Sequence, residues 1–281
     1  MNPGYARPMP VGAFDSHIHC SGLPDDLLRP YAKLNGLSYG LEELIGLMRR
    51  HRVQGGLLLS PPLRDGSPAP NETILELCSR SGGRLFPVLT AEPDAGSISR
   101  CIALAGDNRI AGFKVRLGYR PVYPTDPVFD PLYDFAEERR LPVLFHTGDT
   151  AVPDGSLEHA RPLNLDVLAN RRKKLKMVVC HFGNPWFMDT AELVYKHPNV
   201  YADTSGLFVR GGRYDEEYAR YLARRLSEAV YHIGNADKIM FGTDYPVTTY
   251  SDALRIVRMM KISQEDKGKI FYSNAKGLFF P

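Results

Sequence analysis

The chain has 281 residues, 43% of them hydrophobic and 24% charged, with a formal net charge of +3. That length holds a large buried core, as one barrel or as two ordinary domains. So small a net charge demands neither nucleic acid nor a membrane surface as a partner. Cys20, Cys78, Cys101 and Cys180 are scattered and form no Cys-x-x-Cys pair. This argues against a disulfide framework or a cysteine-based zinc site and fits a reducing, cytoplasmic location. The Pro- and Gly-rich start, Met1 to Val11, lacks the basic and apolar regions of a signal peptide. No apolar stretch approaches membrane-spanning length.

Eight short apolar segments bounded by breakers read as strands. In order they are Ala13–His19, Gly56–Ser60, Leu85–Ala91, Ala111–Leu117, Pro142–His146, Met177–His181, Val200–Thr204 and Ile239–Thr243. Most are near-continuous apolar runs, the pattern of strands buried on both faces of a parallel sheet. Amphipathic helical patterns fall between them. Asn71 and Asp130 are placed as N-caps, and Ser263-x-x-Asp266 resembles a capping box. The basic run Arg171–Lys176 reads as a solvated helix end. Strand–helix alternation repeated eight times predicts an α/β fold, a single-domain (β/α)8 TIM barrel over 1–281 with an N-terminal extension over 1–12. A doubly wound sheet usually carries a Gly-rich phosphate loop after its first strand; here that strand ends in His-x-His. The connections after strands 1, 5 and 7 are long, and such loops lie on the face that carries chemistry.

His17 and His19 close the first strand, His146 the fifth and His181 the sixth, while Asp244 follows the eighth. Residues i and i+2 of a strand share a side, so His17 and His19 project together into the barrel mouth. Two converging imidazoles suit zinc or a similar divalent ion. Barrel closure brings the eighth strand beside the first, and Asp244 toward this pair. Asp15, one step deeper, is placed to orient one of the rings. His51, His159, His197 and His232 fall in loops or helix ends and read as structural or solvated.

The segments Phe14–His19, Gly112–Val115, Phe145–Gly148, Cys180–Gly183, Tyr201–Ser205, Phe241–Pro246 and Asn274–Phe279 together resemble the amidohydrolase superfamily. The branch is that of amidohydrolase 2, the aminocarboxymuconate-semialdehyde decarboxylase-like metal-dependent barrels. The resemblance implies that His17, His19, His146 and Asp244 hold one divalent metal ion, zinc ahead of manganese. It implies that His181 and Asp244 are catalytic, with His181 moving protons at the metal's water. In some relatives a carboxylated lysine on the fourth strand bridges two metals; for Lys114 this is the lesser alternative. The favoured role of Lys114 is an inward charge paired with Asp15 or Asp203.

Many relatives carry Lys-x-His-Pro where this chain has Lys114-Val115-Arg116-Leu117. A guanidinium there would clamp a substrate carboxylate through two parallel bonds. Lys114, Arg116 and Trp186 are therefore the candidate substrate-binding residues, while Arg210 and Arg213 read as solvated loop charges. The expected activity is metal-dependent hydrolysis of an amide, ester or lactone in a small, carboxylate-bearing molecule. The alternative is non-oxidative decarboxylation of a small unsaturated or aromatic acid. A barrel that has lost catalysis and serves as a scaffold is the third reading. The expected partner is a small-molecule substrate, with a homodimer left open and no role for nucleic acid or membrane.

Overall fold

The structure, a computed structural model, describes residues 12–281. Apart from Gly12, the N-terminal extension lies outside the described residues. Eight parallel strands follow one another around one sheet in chain order. They are β1 (Ala13–His19), β2 (Val53–Leu59), β3 (Leu85–Ala91), β4 (Gly112–Val115), β5 (Val143–Phe145), β6 (Met177–Val179), β7 (Val200–Asp203) and β8 (Ile239–Met240). The expected (β/α)8 barrel is the observed one. Its last seam is irregular: Ser16 N donates to Phe241 O (2.9 Å), Asp244 N to His17 O (2.8 Å) and His19 N to Tyr245 O (2.9 Å).

Strands β4 to β8 end one to three residues earlier than their apolar runs. The chain turns out of the sheet to build the mouth, and His181, Phe182 and Asp244 take φ values of 59°, 47° and 58°. Non-glycine residues seldom adopt this left-handed region, which concentrates at functional sites. The long connection after β1 contains a helix of its own, Arg29–Leu34.

Period two sets what faces inward. Leu57, Leu59, Val88, Leu144, Val178 and Met240 form an apolar cluster distinct from the one packed between strands and helices. Ala275, Leu278 and Phe279 of the C-terminal helix Asn274–Phe279 join this cluster together with Phe14. Toward the strand ends the inward positions of β4, β5 and β7 become polar: Lys114, Arg116, His146 and Asp203.

Three local expectations change. Asn71 does not cap its helix; its side chain accepts from Thr90 N (2.8 Å) and donates to Thr90 O (3.0 Å), clipping the helix to β3. Asp130 is a first-turn residue without a capping bond, and it accepts from Arg172 (2.7 Å). Arg172, from the basic run, also reaches Asp134 and Glu137, so it is a tether and not a free charge. Ser263 does cap, its Oγ accepting from Asp266 N (3.0 Å). No helix of the described residues is long and apolar enough to cross a membrane.

Candidate active site

The site begins at an irregularity in β1. Pairing with β2 shifts register between Asp15 and Ile18, so strict alternation fails across Ser16. His17 and His19 still face the mouth together, with ring centroids 5.2 Å apart. Asp15 turns instead to the seam: it accepts from Thr243 Oγ1 (2.6 Å), Thr243 N (3.0 Å) and His17 N (3.0 Å). It therefore orients no histidine ring, contrary to expectation. Burial pushes its carboxyl up to about 7, against these hydrogen bonds.

The ring of His17 is oriented by Asp203, at the end of β7. Asp203 Oδ2 lies 3.1 Å from His17 Nδ1. Its Oδ1 accepts from His181 N (2.9 Å), Ser205 N (3.1 Å) and Ser205 Oγ (2.5 Å). A fully buried carboxylate so saturated with donors is a holder of other groups and not itself a free ligand.

Hydrogen-bond chemistry then assigns the tautomers. A carboxylate or carbonyl oxygen only accepts, so the ring nitrogen facing it carries the proton. His17 Nδ1–H faces Asp203. His19 Nδ1–H donates to Leu59 O (2.9 Å), and His146 Nε2–H to Asp149 O (2.8 Å). In the neutral rings the opposite nitrogens are then left with lone pairs. His19 Nε2 and His17 Nε2 lie 3.0 and 3.4 Å from Asp244 Oδ1, and His17 Nε2 is buried without a hydrogen-bond partner. His146 Nδ1 faces His181 Nε2 at 3.1 Å. Acceptors converging at these distances repel unless a cation or a proton stands among them. Protonation is opposed: burial, reinforced by the charge of Lys114, holds His146 down at about 3 and His17 well below its ordinary range. Burial and the neighbouring His146 do the same to His181. Neutral imidazoles beside a carboxylate are the donor set of a divalent cation.

His17, His19 and Asp244 thus meet as one triad, with His146 adjoining through His181. Gly206 makes room beside them. At φ +65° it would place a Cβ 2.8 Å from Asp244 Oδ2 and 2.9 Å from His181 Nδ1.

A cleft open to solvent leads to these residues and is also lined by Lys114, Arg116, Tyr119 and Asp149. Lys114 has neither of its expected acidic partners, whose oxygens are taken; its Nζ donates to Cys180 Sγ (2.9 Å) across the barrel. Burial pushes that thiol far up, so it accepts as a neutral group. Arg116 is in place, but its two-pronged edge is already used. Nε and Nη2 point at Glu92 Oε1 (3.3 and 2.9 Å), and Nη2 also donates to Gly66 O (2.8 Å). Only Nη1 remains, buried and unpartnered among the described residues, so the bidentate clamp reduces to a single nitrogen. Trp186 is not among the lining residues; its ring lies under the Arg161 guanidinium (5.5 Å), and Asn184 of the same turn lines the cleft instead.

Arg210 is held by Asp252 through two bonds (2.6 and 3.1 Å), and Arg213 lies over Tyr214. His159, His197 and His232 bond to Ser156, Asp166 and Glu192, away from the cleft. His51 packs on Tyr250.

Sequence reasoning overlooked Ser205, Tyr119, Glu92 and Asp149, and gave Asp203 another role. Ser205 stands two residues after Asp203 and was within reach of the period-two rule. Tyr119 follows the end of β4, and its ring meets His146 edge-on (4.9 Å); no pattern marks it.

A family model described as Amidohydrolase matches residues 15–280. The chain is 25% identical over 246 residues to a gamma-resorcylate decarboxylase of Rhizobium radiobacter, covering 74% of each protein. It is similar in fold to an amidohydrolase of Burkholderia multivorans with bound zinc (TM-score 0.72, 17% identity, 96% of this chain and 99% of that one). It is likewise similar to a dihydroxybenzoic acid decarboxylase of a Polaromonas species with bound manganese and 2-nitroresorcinol (TM-score 0.65, 18% identity, 96% and 97%). At those two identities the likeness shows the fold alone.

Proposed function

The chain belongs to the amidohydrolase family, and from that premise we propose that it is a metal-dependent, non-oxidative decarboxylase of a small aromatic acid. The observation that carries the reading is the convergence of His17 and His19 on Asp244, with His146 adjoining through His181, at the end of a cleft into which Arg116 Nη1 is free to donate. The similarity to a decarboxylase across 74% of the chain favours loss of carbon dioxide over the hydrolysis first expected.

His17, His19, His146 and Asp244 would hold one ion, zinc or manganese as in the two structural neighbours. Bound there, the ion would polarise a substrate oxygen and neutralise negative charge. Lys114, its amine engaged by Cys180 Sγ, is not used to bridge a second ion in this reading. Arg116 Nη1 donates to an anionic or phenolic oxygen of the ligand, and Glu92 fixes the guanidinium plane for that contact. His181 Nε2 carries a lone pair into the site. It takes a proton from the bound acid and returns it to the ring carbon. There the electron pair of the breaking bond to the carboxylate becomes the new carbon–hydrogen bond.

The test is carbon dioxide release from a panel of hydroxybenzoic acids, run beside ester, lactone and amide hydrolysis, on zinc- and manganese-loaded protein. Release from at least one dihydroxybenzoate is expected, lost on chelation and in the His17→Ala/His19→Ala double variant. Hydrolysis alone would return the assignment to the hydrolase; neither activity, with metal bound, would leave the scaffold.

A further inference from the structure

Ser205 lies just beyond β7, wholly buried, and has no place in the reaction as described so far. Its hydroxyl is the hub of the hydrogen-bond network. Oγ donates to Asp203 Oδ1 (2.5 Å). With its proton so committed, it has only lone pairs to offer His181 Nδ1, 2.9 Å away, and His17 Nδ1, 3.1 Å away and already facing Asp203. Both nitrogens of His181 are thereby determined: Nδ1 must carry the proton, and Nε2 is left to face His146 Nδ1 at 3.1 Å. The Ser205 carbonyl is a more distant acceptor of the same Nδ1–H, at 3.3 Å. The His181 backbone is pinned as well, because its N–H donates to the same Asp203 oxygen (2.9 Å).

We infer that Ser205 is a positioning residue that sets the tautomer of His181, by accepting the Nδ1 proton while its own hydroxyl is spent on Asp203. Which imidazole nitrogen is free depends on the bond made by the other. Without the hydroxyl, His181 keeps only the longer carbonyl contact, and its two neutral tautomers mix. Asp203 thereby serves two rings from one carboxylate, His17 directly and His181 through Ser205. The inference rests on the decarboxylase reading only for the use made of the His181 proton.

The test is nitrogen NMR of the full chain labelled with 15N-histidine and loaded with zinc, the His181 signals being assigned by their loss in His181→Gln. In the unaltered chain Nδ1 is expected as the protonated nitrogen and Nε2 as the unprotonated one. Ser205→Ala should turn these into averaged signals. Ser205→Cys, which fills the same space but accepts hydrogen bonds weakly, should do the same. In parallel, kcat for carbon dioxide release should fall about a hundredfold, the low end of a lost acid–base contribution, with KM unchanged. Unchanged His181 signals in Ser205→Ala, or signals restored by Ser205→Cys, would overturn the inference, since the carbonyl or mere packing would then suffice. Averaged signals with full kcat would overturn its catalytic part. Absence of carbon dioxide release from the unaltered chain would sink the proposed activity while the NMR result still decides the role of Ser205.

Discussion

Asp203→Asn is the sharpest perturbation of the metal-binding reading, because it changes one atom and leaves the shape of the barrel intact. Asp203 has four donors around it: His181 N, Ser205 N and Ser205 Oγ on Oδ1, and His17 Nδ1 on Oδ2. The asparagine oxygen has to occupy the Oδ1 position to keep the first three. The amide NH2 then stands where Oδ2 stood, 3.1 Å from a ring nitrogen that also carries a proton. Ser205 Oγ, the other acceptor 3.1 Å from that nitrogen, already serves His181, so the conflict is relieved if His17 moves its proton to Nε2. That atom lies 3.4 Å from Asp244 Oδ1 and is the one whose lone pair the proposed metal site uses. Replacing the hydrogen-bond partner of a ligating histidine commonly costs 10- to 100-fold in metal affinity, about 1.4 to 2.7 kcal/mol. The fold should suffer less, since a buried negative charge is removed along with its bonds. Zinc affinity by chelator competition, with thermal unfolding of the metal-free protein as control, reads the two effects separately. Binding within about twofold of the unaltered chain, in a variant that retains its fold, would refute the assignment of His17 as a ligand oriented through Asp203.

Three further outcomes follow from the geometry. Gly206→Ala puts a methyl group within 3.0 Å of both Asp244 Oδ2 and His181 Nδ1; metal affinity and turnover should drop at least about tenfold while the left-handed backbone costs only about 1–2 kcal/mol of stability, as seen by titration and melting together. Arg116→Ala should raise KM for acid substrates about tenfold or more, the scale of one charge-assisted bond, with kcat less affected; Arg116→Lys should not rescue it, because one ammonium cannot serve Glu92 and the ligand with the same geometry. Asp252 is buried, which alone would raise its pKa, but its bonds to Arg210 and Thr249 bring it below the ordinary 3.8. Its contribution to stability is therefore present above about pH 3.8 and lost as pH falls through the lower native value. The difference in melting temperature between the unaltered chain and Asp252→Asn should accordingly shrink below pH 4.

Most of the fold was legible because buried parallel strands carry their signal locally: short apolar runs between breakers need no tertiary information to be recognised. The inward face followed from period two on β4, β5 and β7, which places Lys114, Arg116, His146 and Asp203 at the mouth, while His181 and Asp244 reach it through left-handed turns beyond β6 and β8. What escaped was partner choice. Lys114 had two acidic candidates in the sequence, and neither was free, because the backbone amides and hydroxyls that occupy Asp15 and Asp203 have no sequence signature. Arg116 was placed correctly, but Glu92, 24 residues earlier on β3's edge, had already taken its two-pronged side. Trp186 does not line the cleft, since the turn after His181 leaves the strand direction and sets the indole against Arg161.

The misplacement of Asp15 shows why the seam between β8 and β1 matters to the chemistry. A regular β1 would have turned Asp15 to the side of His17 and His19, adding a second carboxylate to the mouth. The register shift before Ile18 removes it, and Thr243 receives it in the seam. The same carboxylate accepts from Thr243 N, the residue before Asp244, and Asp244 N donates to His17 O. Asp244 is thus held on both sides as it takes its left-handed φ of 58°, and its carboxylate is delivered to His17 and His19. A conformation costly to a non-glycine residue persists only where the surroundings over-determine it. Here the irregular closure of the barrel provides that determination, so the break in β1 and the convergence of Asp244 on the two histidines are one structural feature.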